Sequence, residues 1–380
     1  MSTVHTLPDL PALAMHLRTL LDGPVNAPEQ AKRFALLYAH NGVGKTQLSM
    51  AFKNLGRIGD HRDTLYFNAY TEDLFSWDND LTHDSDPKLV LNANSRFFDG
   101  LADMEMDNRI RPLLQRYVDF DFQIDTDASM VRFYRPDNRE QPIKISRGEE
   151  TMFLWCFFLA IVQLAMDAAS AEEDGVPPAY SWVKYIVIDD PVSSLDEHNA
   201  ITVANHLAQF LARKDHGIKT LISTHHPLFF NVLWNEIKEI DRKRFSPSLL
   251  RRDRTTGEYT LTYTGDKPFF HHLALLQELC QARDEGRIYT HHFNALRSLL
   301  EKASVFHGHQ KFSVCIPENA EDDPGATLYG RVVNIMSHGN YSFYDPVAML
   351  PENREHFDKV LTDLLAFYPF NRAALAGVDA

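Results

Sequence analysis

A phosphate-binding loop is the feature that most restricts the possible folds of this chain. The apolar run Phe34–Tyr38 precedes Ala39–Thr46 (AHNGVGKT), which fits the pattern G-x-x-x-x-G-K-[ST] except that Ala39 replaces the first glycine. The order predicts a strand, a glycine-containing turn and a helix that begins at Lys45. A chain with this segment is expected to build a nucleotide site at the edge of an α/β sheet.

The loop residues have separate predicted roles. Backbone amides around Asn41, Gly42 and Gly44 would hold phosphate oxygens, assisted by the positive end of the following helix. Lys45 would reach the β- and γ-phosphates, and Thr46 would bind Mg²⁺. The predicted cofactors are therefore ATP, or GTP, with Mg²⁺.

Two adjacent carboxylates follow a second apolar run. Tyr185–Ile188 leads directly into Asp189 and Asp190. Strand ends of this kind meet nucleotides at the carboxyl edge of a parallel sheet. Asp189 is predicted to hold Mg²⁺ and Asp190 to polarise the attacking water. Two acids alone could also cap the next helix, but the phosphate loop upstream favours catalysis.

The remaining pattern predicts a parallel sheet with insertions. A helix near Ala200–Leu211 separates strands at Tyr185–Ile188 and Thr220–Ser223, which is the β-α-β order of a parallel sheet. Further predictions are a strand at Leu65–Asn68, helical patches at Lys88–Leu101 and Asn108–Tyr117, antiparallel strands at Phe120–Asp125 and Met130–Arg135, and a long buried helix at Gly148–Ala169. The pattern becomes helical from about residue 266, which divides the chain into domains 1–265 and 266–380.

Three short segments add to the nucleotide site. Ser146, Gly148 and Glu149 open the long helix, where they could bind a γ-phosphate from another subunit or form an ordinary N-cap. Asp196 lies shortly after the acidic pair, and His225 ends the Thr220–Ser223 strand segment. Each signal is weak alone, but their order and spacing form a strong set.

Together these motifs resemble ATP-binding-cassette (ABC) ATPases, and more narrowly the soluble branch that contains the PrrC-like anticodon nucleases. The Asp-Asp-Pro-Val-Ser-Ser-Leu-Asp run at 189–196 is typical of that branch. The resemblance implies an ABC-type P-loop ATPase head with a mixed sheet and a helical insertion, followed by a mainly helical C-terminal domain. It makes Ser146, Gly148 and Glu149 the signature segment, Asp196 part of the subunit-contact loop, and His225 the switch histidine. Such heads pair as head-to-tail homodimers or higher oligomers.

A candidate RNA-cleaving set lies in the C-terminal third. Arg297 and Glu301 are four residues apart on a helix predicted over Tyr289–Phe306, and His338 precedes Gly339 at the end of a helix predicted over Leu328–Met336. An acid, a base and a cation can cleave RNA without a metal, by attack of the ribose 2′-OH. The resemblance implies this role, because PrrC-like nucleases carry an Arg-x-x-x-Glu pair and a distant His. Without it, the pair reads as a surface ion pair.

Charge limits where RNA could bind. With 38 basic and 52 acidic residues the net charge is −14, which argues against a generally basic nucleic-acid coat. A local excess at Arg242, Lys243, Arg244, Arg251, Arg252 and Arg254 could hold an RNA backbone or be a solvated loop. Four histidines (His291, His292, His307 and His309) lack a cysteine or carboxylate to complete a zinc set, so they read as solvated or supporting residues.

Compartment and partners follow from what the sequence lacks and from the resemblance. Three widely spaced cysteines predict a reducing cytoplasm, and residues 1–30 show no signal-peptide pattern. The apolar stretch Met152–Met166 is too short for a membrane span. The resemblance implies cleavage of a tRNA anticodon loop in phage defence, beside a type I restriction complex. The alternative is a regulatory or DNA-repair ATPase of the RecF/SMC-like branch, which would control a partner effector.

Overall fold

The chain divides into two compact units, Ser2–Pro268 and Phe269–Ala380. The computed structural model describes residues 4–59, 61–68, 75–77, 88–91, 104–170, 178–193, 195–213, 216–253, 256–265, 271–316 and 351–370.

Twelve strands are found among the residues described, and all belong to the larger unit. They are β1 (Val4–Leu7), β2 (Phe34–Tyr38), β3 (Thr64–Asn68), β4 (Phe75–Trp77), β5 (Leu89–Leu91), β6 (Asp121–Asp125), β7 (Met130–Arg135), β8 (Asn138–Ile143), β9 (Tyr185–Asp189), β10 (Lys219–Thr224), β11 (Phe245–Arg252) and β12 (Tyr259–Tyr263).

The main sheet has seven strands in the order β1-β12-β11-β2-β10-β9-β3. The five from β11 to β3 are parallel, and β12 runs antiparallel to both of its neighbours. Every residue of β2 and β9 is buried, which explains why both read as continuous apolar runs in the sequence. The predicted parallel sheet is confirmed, and its carboxyl edge brings the ends of β2, β9 and β10 together.

Both units contain α-helices. The larger unit has α1 (Leu10–Asp22), α2 (Lys45–Leu55), α3 (Met106–Leu114), α4 (Arg147–Ala169), α5 (Glu197–Leu211) and α6 (Pro227–Asp241). The smaller unit has α7 (His271–Asp284), α8 (Thr290–Phe306) and α9 (Pro351–Phe367), with a short 3-10 helix at Phe312–Cys315.

Helix α4 is the core of the larger unit. On one side its Trp155 and Phe158 rings contact Phe67 of β3, at 5.3 and 4.7 Å between ring centroids. On the other side its Phe153 ring contacts Phe122 of the second sheet at 5.2 Å. Among the described residues, α4 is the one helix whose length and apolar composition would suffice for a membrane span, and 67% of its most apolar window is buried inside the protein.

The second sheet corrects one sequence prediction. Strands β4, β5, β7 and β6 pair in that order, β8 also pairs with β7, and all these pairings are antiparallel. The helical patch predicted at Lys88–Leu101 is wrong at Leu89–Leu91, which forms β5 because this short apolar run pairs with β7. The rest of that patch, 92–101, lies outside the described residues. The predicted pairing of Phe120–Asp125 with Met130–Arg135 is confirmed.

The smaller unit packs around its own apolar core. Buried side chains of α8, including Phe293, Leu296 and Leu300, lie in one cluster with Leu276 of α7 and Phe357 of α9. The predicted helix over Tyr289–Phe306 is confirmed by α8. The helix predicted over Leu328–Met336 lies outside the described residues.

An ion pair between α1 and the start of β3 supports a prediction on acid stability. Arg18 donates to both carboxylate oxygens of Asp63, at 2.7 and 3.0 Å, and both side chains are less than one-fifth exposed. Burial alone would raise the pKa of Asp63, but hydrogen bonds from Arg18 and Thr64 and the charge of Arg18 lower it below its ordinary value. The pair therefore stabilises the fold fully above about pH 4, the carboxyl pKa of an unfolded chain, and this contribution is lost as the pH falls through the lower folded-state pKa.

We expect Asp63→Asn to reduce the free energy of unfolding at pH 7 by about 1–3 kcal/mol, because it leaves the Arg18 charge partly buried without its partner. Denaturant unfolding between pH 7 and pH 3 should show that the variant loses less additional stability in acid than the unaltered protein. Asp119→Asn is a suitable control, since Asp119 pairs with Arg135 on the surface. Equal acid sensitivity of the Asp63 variant and the unaltered protein would contradict this account.

Candidate functional site

The phosphate-binding loop has the backbone that its glycines predict. Gly42 and Gly44 have φ angles of 84° and 105°, in the left-handed region that favours glycine, and Gly44 directly precedes α2. Ala39 is not among the residues with a left-handed backbone, and its N–H donates to the carbonyl of Thr224 at 2.9 Å. Its backbone therefore does not need the glycine found at this position in the motif.

The ammonium group of Lys45 lies inside the loop and contacts oxygen atoms on several sides. It donates to the carbonyl of Ala39 at 3.2 Å and to Oδ1 of Asn41 at 3.1 Å, and it lies 3.6 Å from the carboxylate of Asp190. The Lys45 side chain is only 7% exposed. The loop thus holds a buried cation at the N-terminus of α2. Both the cation and the positive end of the helix attract an anionic ligand such as a phosphate.

Asp189 lies at the carboxyl end of β9 among hydroxyl groups. Ser223 of β10 donates to its Oδ1 at 2.7 Å, Thr46 donates to its carboxylate, and Tyr66 lies 3.5 Å from its Oδ2. Burial, and to a lesser degree the charge of Asp190, raises the pKa of Asp189, although hydrogen bonds from Ser223 and Thr46 act in the opposite direction. A carboxylate next to a threonine hydroxyl provides oxygen ligands of the kind that Mg²⁺ prefers.

Asp190 has a left-handed backbone, with φ at 52°. Nδ1 of His225 donates to its Oδ2 at 2.5 Å, and the hydroxyl of Thr224 donates to its Oδ1 at 3.3 Å. Burial alone would raise the pKa of Asp190, but the hydrogen bond from His225 and the charge of Lys45 lower it below its ordinary value. The carboxylate is therefore kept ionised and oriented, as a group that polarises water must be.

The structure brings five predicted nucleotide-site residues to one edge of the main sheet. They are Lys45, Thr46, Asp189, Asp190 and His225. Sequence reasoning missed two further residues, namely Tyr66 and Ser223, while Thr224 directly precedes the predicted His225. Ser223 lies opposite Asp189 in the register of β9 and β10, so the strand pairing could have indicated it. For Tyr66 the only signal was its place within the strand predicted at Leu65–Asn68.

The predicted signature and contact residues act as helix caps within one chain. Ser146 Oγ accepts from the Glu149 N–H, and a Glu149 carboxylate oxygen accepts from the Ser146 N–H, which together form a capping box at the start of α4. Asp196 caps α5 by accepting from the Asn199 N–H at 2.8 Å. Among the described residues outside its own helical turn, no atom lies within 4 Å of the position that a Cβ of Gly148 would occupy. Their role in a second subunit's nucleotide site stays a prediction.

In the smaller unit, Arg297 and Glu301 face each other along α8. Nε of Arg297 donates to Oε1 of Glu301 at 2.7 Å, and the two side chains are 21% and 47% exposed. The guanidinium also lies over the Phe312 ring, 5.6 Å from its centroid. The pairing of Arg297 with Glu301 agrees with the predicted helix, whereas His338 lies outside the described residues.

The structure divides the predicted local excess of basic residues into two groups. Arg242, Lys243 and Arg244 form a 3-10 helix before β11, whereas Arg251 and Arg252 lie at the other end of that strand. Arg251 follows Arg244 by seven positions of extended chain, or about 23 Å. The described residues of this local excess therefore lie in two groups, because the largely buried strand β11 separates them. Arg254 lies outside the described residues, and binding of RNA by these residues stays a prediction.

The register of β11 places one of these groups at the same edge of the main sheet as the phosphate-binding loop. Leu249 of β11 lies opposite Tyr38, the last residue of β2 before the loop. Arg251 and Arg252 follow Leu249, so they lie at the edge of the sheet that carries the phosphate-binding loop. Arg242–Arg244 lie at the opposite edge.

A carboxylate does join two of the histidines, contrary to the sequence reading. Ligand atoms of Glu278, His291 and His292 lie within 4.8 Å of one another. The Tyr289 N–H donates to Nδ1 of His292 at 3.0 Å, which places the ring proton of a neutral His292 on Nε2. That tautomer offers no lone pair at Nε2, so the cluster reads as a hydrogen-bonded helix start.

Comparison with known proteins agrees with the predicted family. A family model described as AAA domain matches residues 104–366. The anticodon nuclease of Escherichia coli is 33% identical over 347 residues, which cover 84% of this chain and 85% of that protein. Similar solved structures include an SMC head bound to the C-winged-helix domain of ScpA (TM-score 0.29, 11% identity, 43% of each chain) and an SMC head domain from Thermotoga maritima (TM-score 0.27, 13% identity, 58% of this chain and 87% of that one).

The predicted fold class, a P-loop ATPase head with a mixed sheet, is confirmed by the main sheet and by the AAA-domain match. The resemblance to anticodon nucleases is confirmed by the extent and identity of the Escherichia coli match. This chain therefore belongs to the anticodon nuclease family and contains an AAA-type ATPase domain.

Proposed function

We propose that the protein is a tRNA anticodon endoribonuclease whose ATPase unit controls cleavage by its smaller unit. The observation that carries this proposal is one-third identity to an anticodon nuclease over most of both chains. The nucleotide-site geometry in the larger unit and the Arg297–Glu301 pair in the smaller one support the division of labour.

In the larger unit, the residues present fit a nucleoside triphosphate, ATP or GTP, with Mg²⁺. The loop amides and Lys45 would hold the phosphates, and Thr46 with Asp189 would hold the metal ion, which neutralises phosphate charge during transfer. Asp190 would orient the attacking water, because His225 and Lys45 keep its carboxylate ionised and fixed. His225, when its ring carries both protons, would donate from Nδ1 to Asp190 and from Nε2 to the γ-phosphate.

A second copy of the chain would complete this site. The positive end of α4, with Ser146 and Glu149 at its N-terminus, is a suitable anion-binding surface. The open space beside Gly148 allows a phosphate or a second subunit to approach the backbone closely. Asp196 would contribute to the same head-to-tail interface. The isolated chain is accordingly expected to hydrolyse nucleotide slowly and the paired chain faster.

In the smaller unit, cleavage would proceed by transfer within the RNA itself. The ribose 2′-OH attacks the adjacent phosphorus, a base removes its proton, an acid protonates the leaving 5′-oxygen, and a cation stabilises the extra charge. Glu301 and His338 would share the acid–base steps, and Arg297 would supply the cation. None of these steps requires a metal ion.

The family resemblance supplies the biological setting of the proposal. The protein would act in the cytoplasm in phage defence, silent beside a type I restriction complex until phage interferes with that complex.

The deciding experiment is tRNA integrity in cells that express the full chain. We expect nicks in the anticodon loop, and we expect Arg297→Ala and His338→Ala each to slow cleavage by about 10²- to 10³-fold, because each removes a group that acts on the transition state. Northern analysis with end mapping of purified tRNA measures this.

Arg287→Ala provides the matched control for this experiment. Arg287 also pairs with a glutamate on the surface of the same unit, namely Glu285. If Arg297 and Glu301 were only a surface ion pair, Arg297→Ala would behave like this control. Intact tRNA from the unaltered protein, together with active nucleotide turnover, would refute the nuclease proposal and leave a regulatory ATPase of the RecF/SMC-like kind.

A further inference from the structure

Four aromatic rings form a continuous row where α8 and α9 end. The ring of Phe306, the last residue of α8, lies 5.3 Å from His307, and His307 stacks on Tyr368 at 5.5 Å. Tyr368 in turn contacts Phe367, the last residue of α9, at 5.0 Å. We refer to Phe306, His307, Tyr368 and Phe367 as the aromatic row.

The ends of the row are exposed, while its middle is fixed. Phe306 is 86% exposed and Phe367 is 60% exposed, which is unusual for rings of this size. Tyr368, in contrast, packs against the apolar core of the unit and hydrogen-bonds with Cys315. Exposed rings that adjoin one another and rest on a fixed base indicate a binding surface.

The chain on one side of the row, the segment that carries Phe306 and His307, is basic although the unit is acidic. Residues 302–316 contain Lys302, Lys311, His307 and His309 and no aspartate or glutamate, whereas residues 266–380 contain 10 basic and 15 acidic residues. His307, His309 and both lysines are exposed. The surface therefore combines aromatic rings with local positive charge, a pairing that suits single-stranded nucleic acid.

The row lies close to the proposed cleavage residues along the same helix. Phe306 follows Glu301 by five residues of α8, which corresponds to about 7.5 Å along the helix axis and about 140° around it, so an RNA strand that reached both would curve around the end of α8. Arg297 lies over the ring of Phe312, which packs against the same core as Tyr368. An RNA strand of a few nucleotides could therefore reach from the row to Arg297 and Glu301.

We propose that the aromatic row binds unpaired bases of an RNA loop by stacking, and so holds the loop for cleavage at Arg297 and Glu301. This inference rests on the proposed nuclease function. Unpaired bases expose the flat faces that stack on Phe, Tyr and His, whereas bases inside a duplex do not. The lysines and histidines beside the row would contact the phosphates, which adds affinity without selecting a sequence.

Binding of the full chain to a stem–loop RNA tests the proposal. The probe carries 2′-deoxy sugars in its loop, so it lacks the attacking hydroxyl and stays intact, and a fluorescent adenine analogue in the loop reports stacking. We expect quenching on binding, and we expect Phe306→Ala and Phe367→Ala each to weaken loop binding by about 5- to 150-fold, the effect of losing one base-stacking ring. Phe306→Trp should retain binding.

Two controls separate stacking from other effects. Val314→Ala removes an exposed apolar side chain of the same unit outside the row and should leave loop affinity unchanged. Fully paired RNA of the same length should bind the unaltered protein and the row variants equally. Because Phe306 and Phe367 are exposed, their replacement should not lower the unfolding temperature.

Several outcomes would overturn the proposal. Unchanged loop affinity in both row variants would do so, and so would equal losses in Val314→Ala. Row variants that keep RNA affinity but dissociate a protein dimer would assign the row to an interface between copies. Cleavage of tRNA with unaltered KM in the row variants would refute RNA binding by the aromatic row and leave the nuclease function standing. Intact tRNA from the unaltered protein would refute the nuclease function itself.

Discussion

Asp190→Asn should slow nucleotide hydrolysis by about 10²- to 10⁴-fold, the usual effect of losing a general base, while nucleotide affinity changes little. The asparagine has almost the same shape as aspartate and tolerates the left-handed backbone at φ 52° that this position requires. It lacks the charge that His225 and Lys45 hold in place. Single-turnover release of phosphate measures the chemical step, and equilibrium binding of a fluorescent nucleotide measures affinity.

The same variant tests the proposed dimer. When hydrolysis is blocked, bound ATP should keep two copies together, so size-exclusion chromatography with ATP should show a dimer for Asp190→Asn. Adding Gly148→Arg should restore the monomer, because the bulky side chain fills the open space at the start of α4. Asp167→Asn, at a half-exposed carboxylate that pairs with Arg109, is the control for loss of an acid elsewhere in the unit. Normal hydrolysis in Asp190→Asn would show that another group polarises the water.

Lys45→Ala should lower nucleotide affinity by about 10²- to 10⁴-fold. The ammonium is buried within the loop, and each charge-assisted hydrogen bond that it would give to a phosphate contributes about 1.5–3 kcal/mol. Two such bonds account for the expected loss. Equilibrium dialysis or calorimetry with ATP and Mg²⁺ measures it.

The interpretation of Lys45→Ala depends on an intact fold. Removing the ammonium also leaves the Asn41 amide oxygen and the carbonyl of Ala39 without this donor, so circular dichroism and thermal unfolding should accompany the binding assay. Lys238→Ala, in the last turn of α6, provides a matched lysine control. Nucleotide binding that survives in Lys45→Ala would contradict the placement of the site on this loop.

The parts of the fold that sequence predicted well are those whose signal is local. In three places the pattern that predicts an element lies within the element itself. These places are the strand, loop and helix around Lys45, the strand at Tyr185–Ile188 and the helix at Gly148–Ala169. Strand β5 was missed because Leu89–Leu91 becomes a strand through its pairing with β7, about 40 residues later. Apolar periodicity within a window carries no information about such a partner.

In the candidate site, too, residues with a local sequence signal were predicted and residues placed by distant strand pairing were missed. The motif residues Lys45, Asp189 and Asp190 were found because their spacing follows from phosphate chemistry. Tyr66 was missed because it reaches Asp189 across 123 positions of sequence, and only the order of the strands brings the two side chains together. The local excess of basic residues was counted as one segment for a similar reason, since charge counting takes no account of the extended strand that separates Arg244 from Arg251.

The burial of α4 has a mechanical consequence. The helix has 23 residues and is therefore about 34 Å long, and its aromatic side chains are wedged between the two sheets. It contains no proline or mid-helix glycine at which it could bend. If a second copy displaced Ser146, the whole of α4 would consequently move with it, and so would both sheets that pack against the helix. The larger unit would then move as a rigid body when it binds its partner, because α4 contains no proline or mid-helix glycine at which it could bend.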